Sequence, residues 1–294
     1  MSQPISIVIP TLADGDLLDG ALGSLAAELQ SRSAGDEVLL VDDTGSGALA
    51  EWIALNAPGA QHIVNPKNMG FAASALAGAK AAKHELLFLM NPDVRLRAGC
   101  LDFLQETLEQ SQKVWAVAPY VLLNGETDTA ESLPELVLEQ GIPRLQRMAL
   151  ELLPGHAHPR YPAGIPVAFA LGGACLLRRA EFLKAPFDVR FEPFYWEDVD
   201  HGHTALRAGR QVLVDPRAVA EHHHRGTLGK HVPDPLVRAA IERNRMLFAW
   251  KHLGPEDLQA NLNQLAACAL EHTVCEEREE LLWLALALER ELGR

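Results

Sequence analysis

Across residues 5–110 the chain alternates short apolar runs with stretches of helical periodicity, and three of the runs stop on polar or acidic residues. Residues 5–9, 37–41, 62–65 and 85–90 predict strands. Residues 17–29 predict a helix with Leu18, Leu22, Leu25 and Leu29 on one face, and residues 48–56, 70–83 and 98–110 predict three more. Unbroken apolar strands need cover on both faces, so the expected fold is α/β, with a mostly parallel central sheet flanked by helices. In such sheets ligands bind beyond the carboxyl ends of the strands. Thr11, Asp42, Asp43, Asn91 and Asp93 stand there.

Composition narrows the function. The 294 residues carry a formal net charge of -13, which excludes a duplex nucleic acid as partner, because neutralising phosphates needs a basic face. An anionic small molecule stays open, since a metal ion supplies positive charge locally. The longest apolar candidate, residues 281–288, falls well short of the ~20 needed to span a bilayer. The first ten residues lack a basic leader and run straight into a strand, so no signal peptide is expected. The four cysteines have no zinc spacing, which fits a reducing cytoplasm.

Residues 124–165 are rich in proline and are expected to form a flap, with a helix-prone stretch at 145–153. Strand character returns at 167–178 through the Gly172-Gly173 pair. A helix is expected at 198–208, a strand at 212–221 and helices from 235 onward. Residues 256–294 hold nine acidic and three basic residues, so their outer face is solvated and their apolar stripe packs inward or against a second copy.

Three clusters carry chemistry. Asn91 and Asp93 lie two apart in extended chain and project to the same side, where Asp93 can hold Mg²⁺ or Mn²⁺; Asn-Pro-Asp is also ordinary turn chemistry. Glu197 and Asp198, with Asp200, follow the aromatic run that ends in Tyr195 and Trp196. Crowded carboxylates raise one another's pKa and suit general-base work, and the aromatic rings offer a platform for a sugar. The competing reading is an acidic first helical turn favoured by the dipole. His222, His223 and His224 end a strand, and if it continues His222 and His224 share a face where one can join Asp93 on a metal. No GxGxxG follows the first strand, which argues against a nicotinamide enzyme.

These segments, in this order, resemble the inverting glycosyltransferases of family 2, which have the GT-A (nucleotide-diphospho-sugar transferase) fold, and especially their rhamnosyltransferase-like branch. The matching stretches are SIVIPTL, VLLVDDTGSG, NPKNMGFAASALAGAKAAKHELLFLMNPDV, LGGACLLRRAEFL, FDVRFEPFYWEDVDHGHTALRAGRQVLVDPRAVAEHHHRGTLGK and RNRMLFAWKHL. The resemblance implies a nucleotide site lined by Thr11, Asp42, Asn68, Gly70 and Asn91. It implies a metal held by Asp93 with His222, or His224 in its place, and Asp198 as catalytic base supported by Glu197. His222 fits better, because Gly226 and Thr227 follow it at the family's interval. The chain departs from the family at Leu12-Ala13, at Gly45-Ser46-Gly47 and near Ala75, which bears on donor identity.

The expected organisation is a GT-A catalytic domain over residues 1–233 and a helical C-terminal extension over 234–294. Within the domain, about 1–120 would form the nucleotide-binding half and about 165–233 the acceptor and catalytic half. The expected partners are a nucleotide-sugar donor and a glycan or lipid-linked acceptor, in the cytoplasm or at a membrane surface, with a homodimer through the C-terminal helices. The expected activity is hexosyl or deoxyhexosyl transfer in bacterial polysaccharide or glycoconjugate synthesis. Two competing classes are a nucleotidylyltransferase, which would want a basic loop after the first strand, and a non-catalytic scaffold of the same fold.

Overall fold

The computed structural model describes residues 2–12, 15–32, 34–123, 131, 133–139, 141–223 and 234–272. The first strands and helices follow the sequence pattern closely: β1 (Ile5–Thr11), α1 (Gly15–Ser31), β2 (Glu37–Asp42), α2 (Ala50–Asn56), β3 (Gln61–Val64), α3 (Phe71–Ala81) and β4 (Leu86–Met90). A three-residue β5 (Val94–Leu96), absent from the sequence-based expectation, precedes α4 (Cys100–Glu109) and β6 (Val114–Leu123). Then come β7 (Pro134–Glu139), β8 (Ile142–Arg147), β9 (Ile165–Pro166), β10 (Ala174–Arg178), α5 (Arg179–Lys184), α6 (Glu197–Arg207) and β11 (Gln211–His222). Two long helices end the described chain, α7 (Asp234–His252) and α8 (Pro255–His272).

The main sheet runs β3-β2-β1-β4-β10-β6-β11-β5, with β9 added on β11. Strands β1, β2, β3, β4, β6 and β11 point one way, while β5, β9 and β10 point the other. The sheet is therefore mixed, with a parallel majority. Residues of β1 alternate between two cores. Ile5, Ile7 and Ile9 pack with Leu18, Leu25, Leu101 and Leu104 on one face, and Val8 packs with Ala72, Ala75 and Ala79 of α3 on the other.

The small residues of α3 let it lie close on β1 and β2. A Cβ at Gly78 would stand 2.2 Å from a Val8 methyl and 3.1 Å from a Val41 methyl. A third core joins Phe169, Phe191, Trp196 and Val199 to Leu247 and Phe248 of α7, which binds that helix to the loop entering α6.

The flap departs from expectation. No helix forms at 145–153; β7 and β8 pair as an antiparallel hairpin instead. Gly141, at φ 79° in the turn, faces the backbone of α8 so closely that a Cβ would meet the Asp257 oxygen at 2.4 Å. The buried Asn261 side chain donates to the Gly141 carbonyl at 2.9 Å. That docking favours the hairpin over the local helical spacing of Leu145, Met148 and Leu152. Among the described residues no helix is long and apolar enough to cross a membrane.

Gly78→Val is expected to destabilise the fold by about 2–3 kcal/mol through overpacking of α3 on β1, read as a lower urea midpoint; an unchanged midpoint would show that the helix–sheet spacing is not tight.

Candidate active site

The carboxyl ends of β2, β1 and β4 lie side by side, and the Thr11↔Asp42 register aligns the first two. Because β10 is antiparallel to β4, its start returns to the same edge, with Ala174 opposite Met90. The residues before β10, Gly172 and Gly173, meet there the Asn91 turn and the first turn of α6.

On the β2 side the two adjacent acids divide their work. Asp42 is fully buried and accepts from the Thr44 hydroxyl at 2.6 Å and from the Thr44 and Leu49 amides at 3.0 and 3.3 Å. His62 Nε2 is 3.3 Å from its second oxygen. Asp42 thereby holds the 44–49 loop at the edge where the resemblance puts the nucleotide. Asp43, given no role of its own from the sequence beyond its place at that edge, accepts from the Met69 and Gly70 amides at 2.8 and 2.9 Å and from Asn65 at 2.7 Å. The exposed Asn68 accepts from Gly70 at 3.2 Å, so Asp43 and Asn68 together shape the turn into α3. Gly70 sits at φ 84°, and a Cβ there would overlap the Glu192 carboxylate. The Thr11 hydroxyl is buried and has no hydrogen-bond partner.

On the β4 side, the Asn-Pro-Asp turn connects β4 to β5, and β5 pairs antiparallel with the end of β11 so that Val94 faces His222. The pairing brings His222 Nε2 to 3.3 Å from the buried Asp93 Oδ1. The other ring nitrogen, Nδ1, lies 2.6 Å from Glu131 on the flap. Burial works against charge on His222, but the hydrogen bonds to Asp93 and Glu131 outweigh it and push the imidazole up to about 10. Glu131 carries no sequence signal of its own. His224 lies outside the described residues.

At the start of α6, Asp198 is half-buried and accepts from the Gly172 amide at 3.1 Å and from the Val199 amide at 2.8 Å. Glu197 is buried, with one oxygen lacking any partner. Burial raises both carboxyls first; the charges of Asp198 and Glu192 raise Glu197 further, and that of Glu131 raises Asp198. Since two backbone N–H groups favour ionised Asp198, Glu197 keeps its proton and Asp198 is the better-placed carboxylate. Glu192, also unflagged by the sequence, accepts from the Ala73 amide at 3.1 Å at the start of α3 and leaves its second oxygen buried without a partner. Burial and then Asp43 push it up to about 7.

The aromatic pair splits. Trp196 is only 4% exposed and its ring lies 5.3 Å from that of Phe248 in α7, so it offers no face to a sugar and the expected contact is withdrawn. Tyr195 is half-buried at the site.

With this geometry in view, comparison with known proteins is specific. Residues 6–182 match the model of the family described as glycosyl transferase family 2. The chain belongs to that family. The matched region runs from β1 into α5 and stops short of α6, so the Glu197-Asp198 pair rests on the structure and not on the match. Among solved structures, the chain is similar to GalNAc-T7 in complex with UDP, GalNAc and Mn²⁺, with a TM-score of 0.68 at 15% identity, over 86% of this chain and 49% of that one. The likeness shows the GT-A fold, and the chain spans about half the length of that relative. No curated protein matches by sequence.

A divalent metal fits this donor set in part. No three His, Cys, Asp or Glu side chains converge on one point among the described residues. Asp93 does present a buried oxygen beside a histidine Nε2, and Glu131 on Nδ1 is the kind of carboxylate partner that orients an imidazole toward a metal. Two protein donors of this kind suit a cation whose remaining positions are taken by phosphate and water oxygens.

Glu192 gives a pH signature. Its folded pKa lies above the ordinary 4.5, so its contribution to stability is full below pH 4.5 and is lost as pH rises through about 7. Glu192→Gln is expected to flatten the fall in unfolding free energy between those limits, measured by urea melts across the range; an unchanged slope would show that Glu192 titrates normally.

Proposed function

We propose that this family 2 chain is an inverting, metal-assisted glycosyltransferase of the rhamnosyltransferase-like branch. It moves a hexose or deoxyhexose from a nucleoside-diphosphate sugar to a hydroxyl of a glycan or lipid-linked acceptor, in bacterial surface-polysaccharide synthesis at the cytoplasmic side of a membrane. The observation that carries this reading is Asp198, a carboxylate of raised pKa fixed by two backbone N–H groups at the sheet edge that also holds Asp93 and His222.

The roles follow from placement. Thr11, Asn68, Gly70 and Asn91 line the nucleotide end, with Asp43 holding its turn. Asp198 takes the proton of the acceptor hydroxyl as its oxygen attacks the anomeric carbon from the face opposite the nucleotide, which inverts the configuration. The raised pKa makes Asp198 a stronger base than an exposed aspartate. Protonated Glu197 keeps a second negative charge away from it. Tyr195 contacts the sugar or acceptor. Asp93 and His222, once its Nε2 proton is displaced, would hold Mg²⁺ or Mn²⁺, which would supply positive charge to the departing nucleoside diphosphate. Residues 1–233 form the catalytic domain, and the helices from 234 onward form an extension whose first member, α7, also supports the site.

Asp198→Asn is expected to lower kcat by about 10³-fold while donor affinity stays within about threefold, measured as nucleoside-diphosphate release from a panel of nucleotide sugars with Mn²⁺ or Mg²⁺. Full residual activity would remove Asp198 from the mechanism, and no turnover with any donor would favour the non-catalytic scaffold. Glu131→Ala is expected to raise the Mn²⁺ concentration for half-maximal activity by about tenfold, because the imidazole loses its orienting partner; an unchanged metal requirement would separate Glu131 from the metal site.

A further inference from the structure

The loop that leads into α6 is held open in an unfavourable conformation by a single turn of α7. Tyr195 and Trp196 have φ values of 69° and 76°, both in the left-handed region that L residues with bulky side chains avoid. Trp196 is the residue from which α6 starts, and no side chain caps that end. Asn244, fully buried, points its amide N–H₂ at three carbonyls of this loop: Phe191 at 2.6 Å, Phe194 at 2.9 Å and Tyr195 at 2.9 Å. Arg243 donates to two more, Glu192 at 2.7 Å and Arg190 at 3.1 Å. It also donates to Asn244 Oδ1 at 2.9 Å, which turns the Asn244 N–H₂ toward the loop.

We infer that Asn244, with Arg243, is a positioning residue for the catalytic base: it acts through the 190–196 loop to fix where α6 begins and hence where Asp198 points. The inference rests on the assignment of Asp198 as base. A helix advances about 100° per residue, so a start displaced by one position would swing Asp198 off the Gly172 amide and away from the sheet edge. Left alone, Tyr195 and Trp196 would relax toward right-handed backbone. The five bonds from Arg243 and Asn244 hold them where they are, and in doing so satisfy loop carbonyls that burial would otherwise orphan.

The experiment compares Asn244→Ala and Asn244→Asp in the full chain, with thermal melts to establish folding and steady-state kinetics at varied donor. The aspartate has the shape of asparagine but no N–H to give. Both variants are expected to lower kcat by about 10²-fold with donor KM within about threefold. In an Asp198→Asn background, Asn244→Ala is expected to cause no further loss, because a residue that acts through Asp198 has nothing left to position. A folded variant that keeps kcat within about threefold of wild type, or a second full loss in the Asp198→Asn background, overturns the inference. Should both Asn244 variants fail to fold, Arg243→Ala decides: it removes two of the five bonds and is expected to lower kcat by about tenfold at unchanged donor KM, and wild-type kcat overturns the inference. Full activity in Asp198→Asn alone would sink the underlying assignment instead, which keeps the two failures apart.

Discussion

β5 is three residues long, yet its pairing with the end of β11 decides where groups far apart in the sequence meet. The register sets Val94 against His222, so Asp93, the residue before β5, has the imidazole as its neighbour. A slip of one residue would turn His222 to the opposite face of the strand and leave Asp93 with an uncompensated buried oxygen. In the middle of the sheet, β10 runs against β4 and brings Gly172 and Gly173 back to the edge at which β4 ends. A Cβ at Gly173 would stand 2.3 Å from the Asn91 side-chain nitrogen, so the Asn91 side chain would have to leave its place. The two pairings together convert a layered scaffold into one contiguous site.

That site is crowded with acids, and the protein resolves the crowding by giving each a different environment. Asp42 and Asp43 are satisfied by amide donors and serve as loop anchors. Asp93 shares the charge of His222 with Glu131. Glu192 and Glu197 each keep one buried oxygen without a donor, and burial pushes both up. Asp198 combines a raised pKa with two backbone donors and partial access to solvent. The chemical distinction between neighbours thus comes from hydrogen bonds and burial, not from residue type.

The alternation of apolar runs with helical periodicity made the first half of the fold legible, because strands covered on both faces have little choice of residue. Strand direction was not legible: the apolar pattern of β10 is the same whichever way it runs. Within the flap, Leu145, Met148 and Leu152 recur at helical spacing and point to a helix, while the deciding contact comes from Asn261, more than a hundred positions later. Trp196 beside two acids reads as a sugar platform, and only the packing of Phe248 against it shows a core residue. Asp93, Glu197, Asp198 and His222 were legible by type and position. Glu131 and Asn244 were not, since a lone flap glutamate and a mid-helix asparagine look like solvated surface until their partners are known.

The entry into α6 sets burial against ionisation. An acidic first turn is ordinarily stabilised by the helix dipole and by free N–H groups, which lower carboxyl pKa. Glu197, Asp198 and Asp200 all stand in that turn, yet Glu197 and Asp198 are raised because burial exceeds the dipole's benefit. Holding two successive bulky residues in left-handed backbone costs about 1–2 kcal/mol each, so the arrangement is one that local sequence would not choose. Asn244 and Arg243 make it persist, and they belong to a helix that also packs Leu247 and Phe248 into the core and pairs Lys251 and His252 with Asp200. The loop therefore inherits its rigidity from α7. A base whose proton affinity depends on depth of burial needs a fixed depth, and the packing of Leu247 and Phe248 against Phe191, Trp196 and Val199 provides that reference.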